Sequence, residues 1–97
     1  MARKIKLTSR AKWDIDQAII YYSEEAGDKV VNGFILEIER AMDTVLLNAH
    51  FQIVEKNYRA LPLRKFPYTM FYEFLEAENT IKILSFFHNK QSPSKRP

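Results

Sequence analysis

Seven side chains in the second half of this sequence are of types that handle a polyanion: Arg59, Arg64, Lys65, Tyr68, Lys82, His88 and Lys90. Cations hold phosphates, and aromatic faces stack on unpaired bases. Tyr58, Phe71 and Phe86 are interleaved with them. Such a set could cut RNA without a metal. The 2′-hydroxyl must lose a proton and attack the adjacent phosphate, the leaving oxygen must gain one, and cations must hold the added charge. Histidine titrates near neutrality, so His88 is the candidate acid or base. Arg59 or Arg64 could hold the phosphate through a bidentate fork. The competing assignment makes most of these aromatics core. For Tyr72 and Phe74 core is the preferred reading.

Other chemistries lack their residues. There is no cysteine, which removes disulfides, thiolate zinc sites and a thiol nucleophile. His50 and His88 are the only histidines, and neither has a second ligand at helical or strand spacing. Two glycines cannot build a phosphate loop. No metal or cofactor is expected.

The elements that must position these residues follow from periodicity. Residues 3–8, "RKIKLT", alternate basic and apolar, as a short strand with one buried face does. Ser9 is placed to cap the helix that follows. Ala11, Ile15, Ala18, Ile19, Tyr22 and Ala26 line one helical face. Gly27 suits a left-handed turn, and Asp28 suits the cap of a second helix. That helix shows Val31, Phe34, Ile35, Ile38, Met42 and Val45 at the same spacing. Its acids, Glu37 among them, read as a solvated face. The period then changes to two. "YRALPLRKF" is an expected strand with Pro62 at an edge or bulge. "FPYTMFYEFLE" and "TIKILSFFH" follow as strands apolar on both faces, hence central. The expected fold is α+β, a single small domain of order β-α-α-β-β-β over residues 1–90. Its helix hairpin packs on one face of a mainly antiparallel sheet, and a basic flexible tail occupies 91–97. Strict alternation puts Ile81 and Ile83 under the helices, and Lys82, His88 and Lys90 on the open face.

Charge is segregated. Residues 1–12 carry five bases and no acid, 13–50 carry eight acids against Lys29 and Arg40, and 51–97 carry eight bases against four acids. Basic ends suit a polyanion or an acidic partner, or balance the acidic middle. No apolar stretch reaches the length of a membrane span and no signal-peptide core is present, so a cytoplasmic protein is expected.

"YRALPLRKFPYTMFYEF" and "NTIKILSFFHNKQSP" resemble the C-terminal half of the RelE/ParE superfamily, and "YYSEEAGDKVVNGFILEIERAMDTVLLN" resembles its helix pair. These are toxins of type II toxin–antitoxin modules, often called plasmid stabilization proteins. The resemblance covers the whole chain before the tail. It implies a cognate antitoxin that adds a helix or strand, and a homodimer or a heterotetramer with that antitoxin. For the target it implies two possibilities. ParE-like members poison DNA gyrase; RelE-like members cut mRNA on the ribosome as metal-independent endoribonucleases. In the second case His88, Arg64 and Arg59 would be catalytic, with Lys65, Tyr68, Lys82 and Lys90 as target or phosphate contacts. Many relatives carry an arginine three residues after the histidine. Gln91 stands there, and a neutral amide cannot hold phosphate charge. The gyrase action is therefore the favoured expectation, and a non-toxic binding module is a further alternative.

Overall fold

The computed structural model of the chain describes residues 3–49, 53–55 and 58–90. His50 and the tail with Gln91 lie outside the described residues. Elements run β1 (Lys4–Leu7), α1 (Ser9–Glu25), α2 (Asp28–Leu47), β2 (Ile53–Glu55), β3 (Tyr58–Pro62), β4 (Tyr68–Leu75), a short 3-10 turn (Glu76–Glu78) and β5 (Thr80–His88). The sheet order is β1-β5-β4-β3-β2. β1 joins β5 in parallel, and the other pairs are antiparallel. This is the expected α+β fold, with the three-residue β2 added at the far edge. β3 ends at Pro62, which has no N–H to continue a ladder, so 63–67 is a loop and not strand.

The cap of α1 lies one residue earlier than expected. Thr8, not Ser9, is the N-cap: its hydroxyl accepts the Ala11 N–H at 3.0 Å. The same hydroxyl donates to the Leu84 carbonyl at 2.9 Å, tying the helix start to β5. Gly27 has φ +93° and ψ 177°, a backbone shape that side chains disfavour. It is itself the N-cap of α2, and Asp28 is the first helical residue, where its charge faces the helix dipole. At the other end of α2, Arg3 donates to the Leu46 carbonyl at 2.9 Å, with its guanidinium 5.1 Å from the Phe74 ring centroid. One N-terminal base thus caps a helix C-terminus.

The core lies between the helix pair and the sheet. Ala11, Ala18, Phe34, Ile38, Ala41 and Val45 meet Met70, Tyr72, Ile81, Ile83 and Phe86. The Tyr72 hydroxyl donates to the Ala49 carbonyl at 2.9 Å, so this buried polar atom has its partner. Glu37 departs from the solvated face expected of it and is only 8% exposed. It accepts from Arg40 and, at 3.0 Å, from the backbone N–H of Arg64. The β3–β4 loop needs a partner for that N–H, and α2 supplies it from the buried side.

Candidate functional site

Strict alternation along β5 fails at Leu84. Phe71 of β4 faces Ser85, yet the next residue, Tyr72, faces Ile83. β5 therefore carries one extra residue, a β-bulge at Leu84, and every side chain after it changes face. Before the bulge Ile81 and Ile83 point to the helices; after it Phe86 does. His88 follows Phe86. The open-face position expected for His88 is corrected: it lines a groove on the helix side, against α1.

That groove has a volume of about 260 Å³. α1 contributes Trp13, Asp14, Gln17, Ala18 and Tyr21, and the sheet contributes Tyr68, Phe86 and His88. Beyond Leu7, β1 no longer pairs with β5, so the outer edge of β5 must find other partners. Asp14 serves the Phe86 N–H at 3.0 Å through Oδ2. Arg10 approaches the same oxygen with Nε at 3.4 Å. Burial pushes the Asp14 carboxyl above its usual range; the Phe86 N–H and Arg10 oppose this.

His88 stands opposite Tyr68, with ring centroids 5.0 Å apart and the rings edge to face. Its Nδ1 accepts the Lys90 N–H at 3.1 Å. The neutral ring therefore carries its proton on Nε2. The turn after β5 is closed by the Asn89 N–H on the Pro67 carbonyl, 2.8 Å, and by the Thr69 hydroxyl on Asn89 Oδ1, 2.7 Å. Tyr68 also packs on Phe34, and burial raises its phenol above the ordinary value, with Tyr22, Asp14 and Tyr21 adding to the shift.

The other expected site residues are dispersed. Arg59 pairs with Tyr72, four residues along β4 from Tyr68 and so about 13 Å away at strand rise. Its register partner Tyr72 bonds to Ala49, just past α2, whereas His88 lines the groove against α1. Arg64 and Lys65 are exposed in the 63–67 loop. Phe66 anchors that loop between Tyr22 and Phe34, at 5.4 and 5.1 Å between centroids. Lys82 lies before the bulge and stays on the face opposite His88, beside its register neighbours Lys6 and Glu73. There it lines a second pocket with Leu7, Thr8 and Leu75. Lys90 is exposed just past β5. Tyr68 and His88 are thus together, while Arg59, the loop cations and Lys82 occupy other parts of the surface. Among the described residues no group of three His, Asp or Glu is placed to hold a metal.

Sequence reasoning missed the α1 wall. Its signal was Trp13, Gln17, Ile20 and Tyr21, spaced +4, +3, +1 on a face distinct from the core stripe. Trp13 is 60% and Tyr21 58% exposed, unusual for such large rings.

The model of the ParE toxin of the type II toxin–antitoxin system parDE matches residues 5–93 of this chain. It is a member of the ParE toxin family. Solved structures carry the same fold. A chain of the chromosomal ParDE toxin–antitoxin system from P. aeruginosa superposes with a TM-score of 0.76 at 18% identity, covering 90% of this chain and 96% of that one. The isolated E. coli RelE toxin superposes at 0.56 with 13% identity, covering 96% and 90%. A mutant E. coli RelE in complex with an antitoxin RelBc peptide gives 0.53 at 15% identity, covering 98% and 90%. Among curated proteins none matches the sequence. This ParE-family chain is thus a type II toxin–antitoxin toxin by descent, of RelE/ParE superfamily fold. Among its described residues no helix is long and apolar enough to cross a membrane.

Proposed function

We propose that this ParE-family toxin halts growth by poisoning DNA gyrase in the cytoplasm and is neutralised by a cognate antitoxin. The observation that carries the gyrase reading is the dispersion of the expected nuclease set. RNA cleavage needs an acid–base pair and phosphate cations around one scissile bond. Here His88 is turned onto α1, and its Nδ1 lone pair is engaged by the Lys90 N–H. Arg59 lies four residues along the sheet, and Arg64 is on a loop held by α2. Gln91 supplies no charge in place of the arginine that many relatives carry. A toxin that acts by binding a protein needs no such convergence. It needs exposed cations and rings, which Lys65, Lys90, Trp13 and Tyr21 provide.

The test is induction of the chain alone, followed by pulse labelling of DNA and protein synthesis. DNA synthesis fails first on this reading, and purified protein traps gyrase-cleaved DNA. His88→Ala then leaves toxicity within about twofold. Protein synthesis failing first, with His88→Ala abolishing it, replaces this reading with a ribosome-dependent mRNA interferase. Neither synthesis failing, with the protein folded, leaves a binding module without a toxic action.

A further inference from the structure

The groove between α1 and the end of β5 sets a carboxylate among its aromatic rings, a feature the toxin reading does not use. Three aromatic rings, Trp13, Tyr21 and Tyr68, surround one carboxylate, Asp14, with the Gln17 amide beside it. Aromatic faces carry negative quadrupole charge and attract a cation, most strongly when a carboxylate adds its own. Both the Phe86 N–H and Arg10 meet Oδ2 of Asp14. Asp14 itself lines the groove. Arg10 already pairs with Asp14 from a partly exposed side chain, so an incoming cation would share or displace a solvent-screened ion pair. Asp14 also raises the Tyr68 phenol, so its negative charge is felt across the groove.

We infer that this groove is a binding site for a single arginine or lysine side chain of a protein partner. The guanidinium or ammonium group would sit among the Trp13, Tyr21 and Tyr68 rings and donate to Asp14. The volume of about 260 Å³ suits one long side chain with its methylenes. Ile20 is also exposed on α1, three residues after the groove-lining Gln17, and offers a nearby apolar surface. The partner segment is therefore one that presents a basic residue beside an apolar one. The pocket is locally acidic and aromatic on a chain of net charge +3, so it gives a partner a register that bulk attraction to a basic surface does not. Neither a gyrase nor a ribosome target is needed for it.

The chain contains one tryptophan, and Trp13 is it, so intrinsic tryptophan fluorescence reads this site alone. The full chain is titrated with N-acetyl-arginine amide, with its neutral isostere N-acetyl-citrulline amide, and with adenosine monophosphate. The expected result is a saturable change with the arginine compound and affinity at least tenfold weaker for the citrulline compound. Asp14→Asn keeps an acceptor for the Phe86 N–H and should weaken arginine binding about tenfold; Tyr21→Ala, at an exposed position, should weaken it several-fold. Equal responses to arginine and citrulline overturn the proposal, because the comparison in the parent protein needs no variant to fold. So does saturation by the nucleotide alone, which makes the groove a base-stacking site, or unchanged arginine affinity in a folded Asp14→Asn protein.

Discussion

Glu37→Ala tests how the β3–β4 loop is held. Glu37 accepts the Arg64 N–H at 3.0 Å and the Arg40 Nε at 3.0 Å, from a side chain 9% exposed. Truncation leaves a partly buried N–H without an acceptor, a cost of about 1–3 kcal/mol. It also strips Arg40 of its ion partner. Arg40 is partly solvated and retains contact with Thr44, so this second loss is closer to a surface pair, about 0.5–1 kcal/mol. The sum is about 3 kcal/mol. In a domain of this size 1 kcal/mol moves the melting temperature by about 4–8 °C, so a fall of roughly 12–24 °C is expected. Glu37→Gln keeps an acceptor and should lose about half as much. Thermal melts by circular dichroism measure both, and amide exchange at Arg64 should accelerate in step. A Glu37→Ala protein melting within about 3 °C of the parent would refute the clamp. The pH dependence carries a second check. The Arg40 hydrogen bond holds the Glu37 carboxyl below its usual range, against the opposing effect of burial. A depressed carboxylate stabilises the fold above its unfolded pKa, about 4.3, and that contribution is lost as pH falls through the lower folded value. The acid limb of stability should flatten in Glu37→Gln.

Asp14 carries the opposite sign. Its folded pKa is raised by burial, so ionisation works against the fold; the penalty is absent at low pH and enters as pH rises through the folded value. Asp14→Asn should therefore match or exceed parent stability at neutral pH, while Asp14→Ala orphans the Phe86 N–H and costs about 1–3 kcal/mol in urea melts. Tyr72→Phe removes the bond to Ala49 and leaves a buried carbonyl short of a donor, for an expected loss of about 1–2 kcal/mol. Deleting Leu84 removes the unpaired residue and straightens β5, while Ser85 to His88 keep their partners on β4, so His88 stays on the helix side. Trp13 fluorescence in the deletion variant should still respond to His88→Ala, as expected of the parent, because both residues line the groove; loss of that response would refute the bulge assignment.

Periodicity carried the fold a long way. The stripe from Ala11 to Tyr22 and the one from Phe34 to Val45 face the core because 3.6-residue spacing leaves few other arrangements. The strands apolar on both faces, β4 and β5, are interior to the sheet. Alternation failed at one residue. A bulge leaves no composition signal when the extra residue is itself apolar, and "IKILSFF" reads equally well in either register across Leu84. Glu37 was misread for a related reason: the N–H it serves belongs to Arg64, 27 residues away, and no local pattern announces that need. The cap moved from Ser9 to Thr8 because both hydroxyls suit the role, and only Thr8 lies beside the Leu84 carbonyl. The α1 wall of the groove was visible as apolar residues off the core stripe, but the partner strand that makes it a wall comes from the other end of the chain.

That last point bears on the protein's birth. β1 closes onto β5 through Lys4–Thr80 to Leu7–Ile83, and Thr8 reaches the Leu84 carbonyl, a sequence separation of 76. During translation the helices can pack on one another early, but β1 has no strand to join until β5 has been made. The late, non-local closure makes folding slower than for a helical domain of equal length. The groove beside α1 comes into being only when His88 has emerged and taken its place. A growing chain that has not yet exposed β5 therefore lacks both the β1 pairing and the groove, and completion of the fold is timed by that strand.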